Sequence, residues 1–83
     1  MGLDEGCKQV TMFLEDFWNG IKDLPPPKTE AQCANAKQLG NCADMVSIIG
    51  AKLACPNAEH QAELYGKIKA DLFIKLMACD ILP

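Results

Sequence analysis

The sequence predicts an all-α fold, a small domain of four helices stapled by disulfide bonds. Its apolar residues recur at steps of three and four, the spacing of one helix face, and no segment alternates as a strand does. Five cysteines are scattered over only 83 residues, a size near the lower limit for one stable hydrophobic core. Residues 1–83 are therefore expected to form a single domain that depends on cross-links.

Composition narrows the classes of partner. The chain is 49% hydrophobic and 23% charged, which is too apolar for a disordered tail. It has eight basic residues, all of them lysines, and 11 acidic residues, which gives a net charge of -3. Nucleic-acid binding needs a basic surface and favours arginine. DNA and RNA are therefore not expected as partners.

The first helix is predicted over residues 4–24. Apolar residues from Cys7 to Ile21 follow one face, and Asp4 and Glu5 put negative charge at the N-terminus, where it is favourable. Three prolines at 25–27 are expected to end the helix, because proline lacks the N–H that the helix needs. They form a stiff, extended connector.

Two shorter helices are predicted next. Thr29 and Gln32 have the pattern of a capping box, and Gly40 is a favourable C-terminal stop. The second helix is therefore expected to end at about residue 39. Asn41 would then cap a third helix, apolar nearly all round and hence central, which ends where a proline follows Cys55.

The fourth helix is the longest predicted. Asn57 is placed to cap it, with Glu59 in its first turn, and apolar residues lie at helical spacing up to the C-terminus. From residue 72 to 82 the apolar side chains fall on more than one face. An 83-residue monomer is not expected to cover all of them.

The cysteines indicate an oxidising compartment. They lie 9 to 26 positions apart, unlike the close pairs of zinc sites or thioredoxin motifs: Cys7, Cys33, Cys42, Cys55 and Cys79. A secreted, extracellular protein is expected, and a buried thiol in a cytosolic helical protein is the alternative. Residues 1–6 lack the apolar run of a signal peptide, so a secreted form would be a mature one.

An odd cysteine count leaves one thiol after two bridges. Such a thiol usually pairs with another chain in an oxidising compartment, so a covalent homodimer is expected. In an antiparallel arrangement Cys7 and Cys79 can meet, and Cys33 and Cys55 fall at comparable levels on their helices. The hypothesis is two bridges among these four, with Cys42 as the odd residue.

Catalytic and metal-binding patterns are weak, and an enzyme is not expected. His60 lies in the first turn of a helix, where an exposed position is usual, and Ser47 has no nucleophile-elbow context. Asp16 and Asp23 are seven residues apart and would share a helix face. A second copy of the helix could complete a calcium site there, although a solvated carboxylate face is the more common arrangement.

Large apolar groups exceed what one four-helix core encloses. They lie on the first helix and on the fourth: Phe13, Phe17 and Trp18, and Phe73, Ile74 and Met77. A second subunit, a lipid or a membrane is expected to cover the surplus. The preferred hypothesis is an intertwined two-fold homodimer that uses both helices and is the active species.

Two families of helical secreted proteins resemble parts of this layout. Secretoglobins are similar in having four helices, a cysteine near each end (here Cys7 and Cys79) and covalent dimers with a lipid cavity, but they lack the proline break. Saposins are similar in helix count, acidity and lipid binding, although their paired C-x2-C ends are absent here. These likenesses imply an alternative function, a small carrier of a lipid or other hydrophobic ligand.

A third resemblance covers most of the chain. The segments 6–10 (GCKQV) and 24–28 (LPPPK), the length and the disulfide-stapled helices resemble the secreted calcium-binding virulence factor of dimorphic fungi such as Histoplasma and Paracoccidioides. That family implies a dimeric, non-enzymatic extracellular effector. It reaches the host macrophage and contributes to host-cell lysis, with calcium binding as an ancillary property.

Overall fold

Three α-helices make up most of the chain. The computed structural model describes residues 3–81, in which α1 spans Leu3–Ile21, α2 spans Glu30–Lys52 and α3 spans Ala58–Met77. A short 3-10 helix, Ala78–Ile81, follows α3 directly. The all-α fold and the disulfide bonds are confirmed. The prediction of four helices was wrong, and the last predicted helical residue, at 82, lies outside the described residues.

The predicted second and third helices are one continuous helix, α2. Gly40 does not end it, because no glycine within residues 3–81 takes the positive φ that a glycine C-cap requires. A Cβ on Gly40 would lie 3.7 Å from Lys69 Nζ and 3.8 Å from Leu72 Cδ1. The glycine therefore marks a close approach of α2 to α3.

The start of α2 is capped as predicted. The Thr29 hydroxyl accepts from the Gln32 backbone N–H at 3.1 Å, and the Gln32 side chain accepts from the Lys28 N–H at 2.7 Å. By contrast, α1 ends at Ile21 instead of residue 24, and the chain turns before the prolines. Asn57 occupies the N-cap position of α3 but makes no side-chain capping bond there.

The helices run up, down and up, so that α1 and α3 are parallel to each other. Near one end Gly50 of α2 faces both Val10 of α1 and Gln61 of α3. Near the other end the Lys75 ammonium donates to the Ile21 carbonyl. The hydrophobic core between the helices consists of seven buried residues: Val10, Leu14, Ile21, Ala43, Leu64, Ile68 and Leu72. The molecule is a rod of 48 × 17 × 16 Å.

Two disulfides close the rod, one at each end. Cys7 is bonded to Cys55 and Cys33 to Cys79, with Cα–Cα distances of 5.6 and 6.1 Å. The suggested meeting of Cys7 with Cys79 was wrong, because parallel α1 and α3 put these residues at opposite ends. Cys33 and Cys55 are likewise separated by the length of α2. Within residues 3–81 Cys42 is the free cysteine, the expected position, and it is exposed.

Candidate interaction surface

The candidate carboxylates and the histidine lie on or near α1 and α3. Asp16 lies within α1 but Asp23 lies beyond its end, so the two do not share a helix face as expected. His60 Nε2 lies 3.5 Å from Glu15 Oε1, and the side chains of both residues are half exposed. Across residues 3–81 no three His, Cys, Asp or Glu side chains form a group suited to a metal ion.

A buried glutamine fixes the register of α1 against α3. The Gln61 side-chain amide donates to the Thr11 hydroxyl and to the Asn57 side-chain oxygen, at 3.2 Å in both cases. Asn57 in turn donates to the Thr11 hydroxyl at 2.7 Å, and that hydroxyl donates to the Cys7 carbonyl. Among residues 3–81 no buried side-chain nitrogen or oxygen lacks a hydrogen-bond partner, so this network holds two helices at a defined offset.

A second polar cluster joins α2 to α3. The Tyr65 hydroxyl donates to the Asp44 carboxylate, and Lys69 Nζ lies 3.0 Å from the same group. The hydrogen bond from Tyr65, followed by Lys69, lowers the pKa of Asp44 from its ordinary value of 3.8. The same bond raises the pKa of Tyr65 above 10.0. The cluster thus pairs the charges of Asp44 and Lys69.

The predicted apolar residues do not all face solvent. Phe17 and Trp18 are partly buried against the core, and Phe13 is 43% exposed. Phe13 stacks on Phe17, with ring centroids 5.6 Å apart. On α3 the three predicted residues are more open, with exposures from 56 to 68%: Phe73, Ile74 and Met77.

Three exposed apolar residues on α2 were not predicted from the sequence. Met45, Ile48 and Ile49 are 63, 54 and 49% exposed. The predicted third helix looked apolar all round and was therefore expected to be central. Instead its small residues Ala43 and Gly50 are buried, and Met45, Ile48 and Ile49 point outward. The apolar residues were visible in the sequence, but the direction of burial was inferred wrongly.

An open groove lies between α2 and α3, here called the α2–α3 groove. One part has a volume of about 610 Å³ and the next about 580 Å³, and both are lined by Lys37, Phe73 and Leu76. Ala34 and Met77 line the first part, and Asn41 and Ala70 line the second. An apolar floor with a few polar groups along its edge is typical of a binding surface.

Smaller grooves lie on the side of the molecule between α1 and α2. Phe17, Leu24 and Leu39 line a groove of about 270 Å³, and Leu24 and Leu39 continue into one of about 230 Å³ beside Pro27. These grooves, like the α2–α3 groove, open to solvent.

None of the helices in residues 3–81 combines the length and the apolar composition that a membrane crossing requires. No protein-family model, curated protein or solved structure matches this chain.

Proposed function

We propose that this chain is a secreted, non-enzymatic effector that acts by binding other macromolecules through its exposed apolar surface. The observation that carries the proposal is the combination of two disulfides with ten exposed large apolar side chains, counted over residues 3–81. Single exposed apolar residues are ordinary, but contiguous apolar grooves mark interaction sites. The resemblance to fungal virulence factors suggests the host macrophage as the target and lysis as the result.

The cross-links support an extracellular site of action. Disulfides persist in oxidising environments and supplement the cores of small secreted domains. One bridge joins α1 to the segment after α2 and the other joins α2 to the 3-10 helix after α3, so together they constrain all three helices. Rigid scaffolds lose little conformational entropy when they bind, which favours recognition by a small surface.

The open form of the grooves favours surface binding over the carriage of an enclosed ligand. A carrier buries most of its ligand within the protein. Here Leu14 and Ile68 fill the centre, each with no exposed surface, and the grooves lie outside that core. Calcium has no assigned part in the proposal, since Asp23 lies beyond the end of α1 and does not share its face with Asp16.

The test is lysis of cultured macrophages by the purified, oxidised protein, measured as released lactate dehydrogenase. Replacing Phe13 by serine removes exposed apolar surface from α1 and should reduce lysis, whereas Asn19→Ser on the same helix should not. Both positions are exposed, so the fold should survive, and circular dichroism verifies it. The proposal is wrong if the oxidised protein leaves macrophages intact, or if the two variants lyse cells equally.

A further inference from the structure

The chain exposes more surface than a compact protein of its mass. Its accessible surface is 5684 Å², whereas a folded monomer of 9.0 kDa is expected to expose about 4,900 Å². The excess is roughly 800 Å², which equals the area that one partner contributes to a standard protein interface. One long side of the rod, with edges of 48 and 17 Å, offers about that much area.

Two continuous stripes of exposed residues run along α2 and α3, and six of their ten residues line the α2–α3 groove. The stripe on α2 follows steps of three and four, as does the stripe on α3, and all ten residues are exposed: Ala34, Lys37, Asn41, Met45 and Ile48, and Ala62, Gly66, Ala70, Phe73 and Met77. We call these two stripes together the α2–α3 face. Its large apolar residues are 54 to 68% exposed.

Large and small residues occupy opposite ends of this face. Gly50 lies beside Gln61, and Cys33 is bonded to Cys79, so the residues midway between these pairs, Asn41 and Ala70, lie level with each other. Both of these residues line the groove. In both helices the large apolar residues of the face come after the midpoint residue in the sequence. Because the helices are antiparallel, the large residues of α2 and α3 lie at opposite ends.

We propose that a second copy of the chain binds the α2–α3 face, antiparallel to the first. The two copies are related by a two-fold axis that lies in the interface, perpendicular to the helices, and crosses α2 at Asn41 and α3 at Ala70. Rotation about this axis brings Ile48, seven residues after Asn41, over Ala34, seven residues before it. Met45 comes over the methylene stem of Lys37 in the same way.

The same axis matches the residues of α3. Phe73 follows Ala70 by three residues and comes over Gly66, which precedes it by four. Met77 follows Ala70 by seven residues and comes over Ala62, which precedes it by eight, so each pair on α3 is offset from the exact rotation by one residue, about 1.5 Å. Every large apolar side chain of the face thus meets a small residue or an aliphatic stem of the partner, the alternation that lets helix surfaces interdigitate.

Polar groups on the face suit this arrangement. Asn41 meets its own copy on the axis, and an amide can both donate to and accept from an identical amide. A single asparagine pair of this kind fixes the register between helices. Asp44 and Lys69 beside the axis already neutralise each other at 3.0 Å, so closing the face leaves this charge pair intact.

The first experiment measures self-association by sedimentation equilibrium of the full, oxidised chain. Gly66→Leu fills the space that Phe73 of the second copy needs, while its own monomer has nothing within 4 Å of the added Cβ. The dimer dissociation constant should rise by roughly a hundredfold, about 2.7 kcal/mol, with helicity retained. Gly20→Leu, also with nothing within 4 Å, is the matched control and should dimerise like the wild type.

The second experiment tests the axis directly by oxidation. In a Cys42→Ser background, Asn41→Cys should form a disulfide-linked dimer on air oxidation, because residues on the axis face each other at bonding distance. Asn19→Cys, exposed on α1, should not. A wild-type monomer at 100 μM, unchanged dimerisation in Gly66→Leu, or equal cross-linking at the two positions would overturn the proposal. The lysis assay with Phe13→Ser is a separate readout, since Phe13 lies outside this face.

Discussion

The Tyr65 hydroxyl of α3 is hydrogen-bonded to the Asp44 carboxylate of α2, and this contact joins the two helices that form the α2–α3 groove. Lys69, one turn after Tyr65, pairs with the same carboxylate. The contact needs an ionised Asp44 and a protonated Tyr65. Because the fold lowers the pKa of the first and raises that of the second, both conditions hold over a wide pH range.

The pH dependence of stability should reveal this contact. Asp44 has a lowered folded pKa, so its contribution is present above pH 3.8 and is lost as the pH falls through the folded value. Tyr65 has a raised pKa, so its contribution is present below pH 10.0 and is lost as the pH rises further. Tyr65→Phe should therefore lower the free energy of unfolding by about 1 kcal/mol at pH 7. Urea denaturation at pH 3 and pH 7 measures this, and an equal difference at both would contradict it.

Removing either disulfide should cost a large part of the stability. The bridges join residues 48 and 46 positions apart, and loops of that length correspond to about 2–5 kcal/mol each. Replacing Cys33 and Cys79 together by serine should lower the thermal midpoint markedly, as should excess reductant on the wild type. Cys42→Ser, which breaks no bridge, should melt like the wild type. A midpoint that reductant leaves unchanged would show that the bridges are dispensable.

Gly50→Ala should destabilise the three-helix core. The added Cβ would lie 2.5 Å from Gln61 Oε1 and 3.1 Å from Val10 Cγ1, and Gln61 can move only by breaking its hydrogen bonds to α1. The expected loss is about 1–3 kcal/mol. Chemical denaturation measures it, with Gly20→Ala as control because its Cβ meets nothing. A Gly50→Ala protein as stable as that control would refute the close approach.

Ala54→Gly should stabilise the chain. Ala54 follows the C-cap residue of α2 and has φ of 53°, in the left-handed region where a side chain is unfavourable. Glycine there should raise the free energy of unfolding by about 0.5–1 kcal/mol. The matched control is Ala51→Gly within α2, which should lose about the same amount. Two variants that shift stability in the same direction would contradict this account.

Local signals in the sequence predicted the helix starts better than the helix ends. The capping box at Thr29 acts as expected, because it depends only on neighbouring residues. Gly40 was wrongly predicted to end a helix. Its conformation depends on tertiary packing against Leu72, which lies 32 residues further along the chain. The pairing of Cys7 depends on whether α1 and α3 are parallel, which no local pattern reveals.

The surface was harder to predict than the core. Steps of three and four correctly placed Leu14 and Ile68 on buried faces, but Met45 and Ile48 follow the same spacing and point outward. Periodicity shows that apolar residues share a side of a helix, not whether that side meets another helix. The helices α1 and α3 pack against the side of α2 that carries its small residues, because alanine and glycine allow the closest approach of backbones.

The order of the disulfide bonds along the chain determines whether a single proteolytic cut separates the molecule into two pieces. Cys7 pairs with Cys55 and Cys33 with Cys79, so the two covalent loops overlap between residues 33 and 55. A single cut anywhere from residue 8 to residue 78 falls within at least one loop and leaves the pieces attached to each other. Within the overlap, two bonds must be reduced before a nicked molecule separates. A protein with this connectivity can be cleaved once by a protease and still remain one molecule.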